Sequence, residues 1–269
     1  MLSNSNLNSF LKLGYFLDYK NPKYKFDFSR IDKSKYATCT EKELINIGSK
    51  LLTEAITSKF ECGKRHVVPI SGGLDSRAIL AGLLECTEAK NIETYTFGTP
   101  GTLDLEIGRE VGLGLGTKHV SFALTEHRYD IEELLDISNR INHQTVLFHH
   151  PPVKRLSSIY GDSIFWMGSF AGPITGGSTE KERVENTLNA KKIFTHKNRY
   201  SRSVELSCLK DEDLFDLIEI KNNDMDLSEM ADFYNRQVKF IAPHVLLEGF
   251  NYKIPFYDIE LMSFFLSLD

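Results

Sequence analysis

A short apolar run followed by a glycine-rich turn and a helical pattern constrains the fold of this chain more than any other stretch. Residues 66–76 read His-Val-Val-Pro-Ile-Ser-Gly-Gly-Leu-Asp-Ser, and the helical pattern continues from 77 to 85. This order predicts a strand, a tight turn and a helix N-terminus. Two glycines let the backbone bend sharply and bring N–H groups close to a ligand. Because a helix start adds unpaired donors and the positive end of its dipole, we predict an anion-binding loop.

Strand and helix patterns then alternate along the chain. Residues 92–98, 119–122 and 163–167 are rich in β-formers, while 104–111 and 129–141 have helical patterns. This alternation predicts an α/β fold, with a parallel twisted sheet and helices on both faces. The glycine turn then lies at the carboxyl end of a central strand, where such sheets bind ligands. Beyond Gly177 we predict a mostly helical part, with helices near 180–192, 211–220, 228–249 and 257–267.

The net charge, the cysteine spacing and the lengths of the apolar runs exclude several classes of protein. The 269 residues carry a net charge of -5, which argues against a dedicated nucleic-acid binder. The four cysteines are scattered, which predicts no disulfide framework or zinc knuckle. No apolar run approaches the roughly 20 residues of a membrane helix, so we expect a cytoplasmic protein. We expect a lead-in segment and a helix over residues 1–64, the helix capped at its start by Thr40 to Glu43, and one domain over 65–269.

The side chains of the turn predict what it binds. Ser71 and Ser76 can donate hydroxyl hydrogen bonds, and Asp75 can hold the divalent cation that accompanies a polyphosphate. The alternative is a strand–turn–helix in which Asp75 or Ser76 only caps the helix. The form Ser-Gly-Gly-Leu-Asp-Ser resembles the loop of the PP-loop ATP pyrophosphatases, and most closely the synthetase domain of the asparagine synthetase family. Enzymes of that family cleave ATP between the α- and β-phosphates, adenylate a carboxylate and let an amine displace AMP.

The resemblance, which extends from residue 66 to about 267, implies an adenine nucleotide α-hydrolase-like fold with ATP and Mg²⁺ as cofactors. It implies an adenine contact at the end of the second strand, where the alternative is a plain strand terminus. It also implies a second glycine-rich loop over 168–177, in which Gly172-Pro173 replaces an expected acidic pair. Nucleotide-binding residues implied in this way are Ser71, Gly72, Gly73, Leu74, Asp75, Ser76, Phe97, Gly98 and Gly168, with Asp75 also holding the metal.

The segment 249–258 resembles a further family motif. Pro255, Phe256 and Asp258 match it, whereas Asn251 replaces a glutamate and Lys253 replaces an arginine. The resemblance therefore implies catalytic roles for Asp75, Lys253 and Asp258. An amide at 251 cannot act as a base. The family's transition-state lysine is expected beyond residue 269, and position 2 is leucine, so we expect no glutamine hydrolysis by this chain.

Two hypotheses follow from the motif and its departures. The first is an ATP-dependent, AMP-forming ligase acting on a small-molecule or peptide carboxylate, with ATP as its nucleotide. The second is a catalytically impaired nucleotide-binding partner or regulatory subunit of the same fold, in which another protein supplies nitrogen or completes the site. A tRNA-modifying PP-loop enzyme is disfavoured by the acidic balance and the absence of cysteine pairs. We expect no nucleic-acid or membrane partner.

Histidines offer no clear second site. His119 either matches a family position at the start of the third strand or is a structural histidine at a strand edge. The spacing of His143, His149 and His150 matches no established metal-ligand pattern, so a binding-surface or packing role is favoured over metal binding.

Overall fold

A parallel sheet forms the centre of the protein, as the sequence predicts, and in the part of the chain that the structure describes it has five strands where four were predicted. The computed structural model describes residues 4–20, 23–141, 150–177, 182–200, 210–221 and 225–268. Within these ranges the strand order is β3-β2-β1-β4-β5, and every neighbouring pair is parallel. The strand bounds are β1 His66–Pro69, β2 Ile92–Gly98, β3 Lys118–Ala123, β4 Ile164–Trp166 and β5 Asn251–Lys253.

The strand order places β1 in the middle of the sheet. The chain proceeds from β1 outward to β2 and β3, then returns to the other side of β1 to form β4 and β5. The position between β1 and β4 is therefore the topological switch point, where the loops after the strands diverge and leave a crevice. The strand β5 was not predicted, because three residues are too few to show a period of two.

Helices surround the sheet and are the main elements of the described part of the C-terminal half. Their bounds are α1 Asn4–Leu13, α2 Glu41–Thr57, α3 Leu74–Leu84, α4 Leu103–Gly114, α5 Ile131–Ile141, α6 Val153–Tyr160, α7 Ala171–Ile174, α8 Thr187–Lys197, α9 Leu227–Asp232, α10 Ala242–Val245 and α11 Ile259–Leu266. A π-helix, Phe233–Ile241, joins α9 to α10. The predicted helix over 228–249 is therefore three consecutive pieces that end at Val245.

Two further local predictions need correction, and one helix was missed. The helix predicted over 180–192 begins later, because the Asn186 side chain accepts from the N–H of Asn189 and caps α8. Only a 3₁₀ turn, Asp211–Leu214, occupies the start of the segment predicted as a helix over 211–220. The short helix α6 was not predicted at all. In contrast, the predicted cap of α2 is confirmed, since Thr40 and Glu43 form a capping box.

The two faces of the sheet have different apolar cores. One core joins side chains of β1 and β4 to the helices α2, α3 and α11. The other lies against α6 and includes Val67, Tyr95 and Phe165. Phe26 and Phe28 belong to the first core. Side chains from before and after residue 65 in the chain thus share one core. The division of the chain at residue 65 into a lead-in segment and a domain stays a prediction.

His66 is a buried titratable group inside the first core. Its Nδ1 accepts from the indole N–H of Trp166 at 2.9 Å, and its Nε2 lies 2.9 Å from the carbonyl oxygen of Glu61. Because the indole can only donate, Nδ1 carries no proton and the ring is neutral. Desolvation lowers the pKa of His66. The folded state therefore binds a proton less readily than the unfolded state.

The lowered pKa of His66 predicts that the folded protein is less stable at acidic pH. The contribution of His66 to the free energy of unfolding is complete above the unfolded-state pKa, about 6.5, and is lost as the pH falls below it. We expect His66→Asn, whose amide oxygen can still accept from Trp166, to show a smaller loss of stability between about pH 7.5 and about pH 5. Urea unfolding at both pH values measures this. The exposed His196→Asn is the control, and an equal pH dependence in both variants would contradict the expectation.

Candidate functional site

The loops after β1 and β4 meet at the switch point. A Cβ atom added to Gly168 would lie 3.1 Å from the Cβ of Asp75, so the two loops are in direct contact. A side chain at position 168 would force them apart. The structure thus joins Gly168 to the loop over 71–76, which we call the glycine loop.

The serine hydroxyls hold the glycine loop in shape. Ser71 Oγ accepts from the N–H of Gly73 at 3.1 Å. Ser76 Oγ accepts from the N–H of Ser71 at 3.2 Å and donates to the carbonyl oxygen of Gly73 at 3.4 Å. Sequence reasoning assigned these hydroxyls to the ligand, and the structure adds this second role. Gly73 precedes α3 and no side chain caps it, so the first-turn N–H groups are available to an anion.

Arg77 is a feature of the loop that sequence reasoning missed. Its Nε donates to the carbonyl oxygen of Gly73 at 3.2 Å, and its Nη2 donates to that of Gly72 at 3.0 Å. In a trans peptide the N–H points opposite to the C=O. Arg77 therefore fixes the two peptide planes with their N–H groups directed away from its guanidinium. Its charge also adds to the positive potential of the loop.

Asp75 has the chemistry of a cation ligand. Partial desolvation raises the pKa of its carboxyl above the ordinary value. Among the described residues, no hydrogen bond or ion pair engages this carboxylate. Magnesium binds carboxylate oxygens together with substrate phosphates, and it would relieve the desolvation cost. The donors of the glycine loop and the Asp75 carboxylate thus fit a magnesium–polyphosphate group.

The neighbouring strand end completes the rim of the site. Phe97 and Gly98 are the last residues of β2, in register with the end of β3. The next helix, α4, starts against the glycine loop, since a Cβ on Gly72 would lie 3.3 Å from Oδ1 of Asp104. At the starts of α3 and α4, Leu74 is 74% exposed and Leu103 is 76% exposed. This edge therefore presents apolar side chains beside the polar loop.

The structure places Lys253 and Asp258 in other contacts. Lys253 Nζ lies 2.7 Å from Glu61 Oε1, and Lys59 Nζ lies 2.7 Å from Asp258 Oδ2. Asp258 also caps α11 by accepting from the N–H of Glu260. Both ion pairs tie the segment that links α2 to β1 to the C-terminal part of the chain. Among the described residues, neither side chain makes a hydrogen bond or ion pair with the glycine loop.

His119 lies away from this edge of the sheet. His119 Nδ1 is 2.9 Å from Thr94 Oγ1, and its Nε2 is 3.1 Å from Ser121 Oγ. His119 pairs with Thr94, which lies four residues before the end of β2. This position favours the interpretation of His119 as a structural histidine. His150 is buried, whereas His143 and His149 lie outside the described residues. In the part of the chain that is described, no group of three or more His, Cys, Asp or Glu residues could hold a metal.

The parallel sheet with a glycine loop at its switch point defines the class of fold as an α/β nucleotide-binding type similar to the adenine nucleotide α-hydrolases. Residues 49–145 match the family model described as asparagine synthase. The resemblance to the synthetase domain of that family is thereby confirmed for this part of the chain, which includes β1, the glycine loop, β2 and β3. Gly168, Lys253 and Asp258 lie outside the matched range. No curated protein matches the chain. Across the described ranges, every helix is too short or too polar to cross a membrane.

Proposed function

We propose that the protein is an ATP-dependent, AMP-forming ligase that adenylates a carboxylate for amide formation. The observation that carries this proposal is the glycine loop at the switch point, packed against Gly168 and bearing the Asp75 carboxylate. The matched family range, which includes this loop, supports the same chemistry.

In this proposal each part of the loop has a defined task. The N–H groups at the start of α3 bind the pyrophosphate end of ATP, and the helix dipole favours its negative charge. Asp75 holds Mg²⁺, which neutralises the charge that develops on the departing pyrophosphate. A carboxylate oxygen of the acceptor attacks the α-phosphorus, the bond to the oxygen bridging the β-phosphorus breaks, and pyrophosphate leaves. An amine nitrogen then attacks the acyl carbon, AMP leaves with the electron pair of the acyl–oxygen bond, and the nitrogen releases a proton to solvent.

The adenine is proposed to lie at the end of β2, beside Phe97 and Gly98. Exposed Leu74 and Leu103 offer apolar surface there that a bound base would cover. The polar loop and this apolar rim together suit a nucleotide, which has one charged end and one flat apolar end.

A second candidate function is a nucleotide-binding partner with little or no turnover. Asn251 cannot act as a base, and Gly172-Pro173 supplies no carboxylate. The ion pairs of Lys253 with Glu61 and of Asp258 with Lys59 also favour structural roles for these two residues. ATP would still bind in this case, because the glycine loop is common to both candidates.

An exchange assay separates the two candidates. A ligase forms an adenylate reversibly, so labelled pyrophosphate should enter ATP only when a suitable carboxylate is present. We expect carboxylate-dependent exchange with at least one member of a panel of amino acids and dicarboxylic acids. Binding of ATP without exchange across the panel would favour the binding partner. Failure to bind ATP at all would contradict both.

A further inference from the structure

A cavity of about 400 Å³ lies among the N-terminal segment, the end of α5 and the segment between α10 and β5. That volume suits a small molecule. None of the residues that line the cavity belongs to the glycine loop or to the loop after β4. An occupant of this cavity would therefore be a second ligand, separate from the nucleotide.

The lining of the cavity is positively charged, in a chain whose net charge is -5. Lys20, Lys23 and Arg140 line it, together with the carboxylate of Glu248. Lys23 Nζ lies 2.7 Å from Glu248 Oε1, so these two charges offset each other. Lys20 is exposed and makes no ion pair with any residue that the structure describes. The lining thus keeps the charges of Lys20 and Arg140, which attract an anion.

Arg140 is held in a fixed position in this wall. Its Nε donates to Asp136 Oδ2 at 2.8 Å, and its Nη1 donates to the carbonyl oxygen of Glu248 at 3.0 Å. Gly249 permits this close approach, because a Cβ there would lie 2.7 Å from Nη1 of Arg140. Asp136 offsets part of the charge, but Nη2 donates to none of the described residues. A fixed guanidinium with unused N–H donors is suited to a carboxylate or phosphate group.

The rest of the lining indicates what kind of anion fits. Ile141, Pro243 and Leu246 supply apolar surface, and Tyr19 and Tyr24 supply aromatic rings. An inorganic ion would leave this surface in contact with water, whereas a carbon skeleton would cover it. The lining therefore favours an organic anion.

We propose that this cavity binds a small organic anion. Its carboxylate or phosphate group lies against Arg140 and Lys20, and its carbon skeleton covers the apolar part of the wall. The inference does not depend on the proposed function, because no residue of the glycine loop takes part.

Isothermal titration of the full chain, without ATP, tests the site. From a panel of succinate, citrate and glycerol phosphate, we expect at least one anion to bind with a dissociation constant below about 1 mM. Arg140→Gln should weaken that binding by about 10- to 100-fold, and Lys20→Gln by about 3- to 10-fold. Lys20→Gln changes an exposed side chain, so its result holds even if Arg140→Gln perturbs the local fold. Arg30→Gln is the control, because Arg30 is exposed and lies outside the cavity lining.

Other results overturn the inference. Failure of every anion in the panel to bind the parent removes the site, and equal affinities for an anion and its uncharged amide would show that charge is not recognised. Inorganic phosphate that binds as tightly as the organic anions would leave the apolar wall without a role. Loss of binding in Arg77→Gln, with Arg140→Gln and Lys20→Gln unaffected, would place the anion on the glycine loop instead.

Discussion

Asp75→Ala is expected to weaken Mg·ATP binding by about 100-fold, the effect of losing a charged, metal-linked contact. Partial desolvation raises the pKa of this carboxyl although the residue is exposed, so a nearby cation would favour its charged form. A bound cation offsets this desolvation, and the variant loses both the cation and its bridge to the phosphates. Isothermal titration with ATP and Mg²⁺ measures the effect.

Asp162→Ala is the matched control, because Asp162 is an exposed aspartate in the turn before β4, at the opposite edge of the sheet. Its ATP affinity should equal that of the parent. Titration with ATP in the absence of Mg²⁺ adds a second comparison, since the two variants should then differ much less. Equal Mg·ATP affinities for Asp75→Ala and the parent would refute the assignment of this loop.

Gly108→Ala is expected to destabilise the protein by about 1–3 kcal/mol, the usual cost of overpacking. A Cβ at this position would lie 2.6 Å from the carbonyl oxygen of Ile70 and 2.9 Å from Oγ1 of Thr96. The first of these is a backbone atom that cannot rotate away. The helix α4 must therefore move away from the ends of β1 and β2. Ile70, whose carbonyl oxygen is the closest atom, directly precedes the glycine loop.

Gly114→Ala, in the same helix, is the control. A Cβ there meets nothing within 4 Å, and alanine is the better helix former by up to about 1 kcal/mol. We expect this variant to be as stable as the parent or slightly more so. For a chain of this size, each kcal/mol changes the melting temperature by about 2–4 °C, which calorimetry resolves. Equal melting temperatures for the two variants would contradict the close packing of α4 on the strand ends.

The sequence predicted most of what depends on neighbouring residues. The alternation of strands and helices from 66 to 168 was enough to predict a parallel sheet, which the structure confirms. The cap at Thr40 and Glu43 was predicted correctly because a capping box spans only four residues. Predictions failed where tertiary context overrides local pattern. The π-helix between α9 and α10 and the three-residue β5 have no distinctive periodicity, and both depend on their packing within the fold.

The features of the candidate site also divide into those that the sequence predicted and those that depend on the tertiary structure. The glycine loop was predicted from six consecutive residues, because a strand, two glycines and a helix start specify their own geometry. The contact of Gly168 with Asp75 and the ion pairs of Lys253 and Asp258 could not be predicted from local sequence. Each depends on which strands become neighbours. That order depends on the burial of whole faces of the sheet, so no local segment of the sequence specifies it.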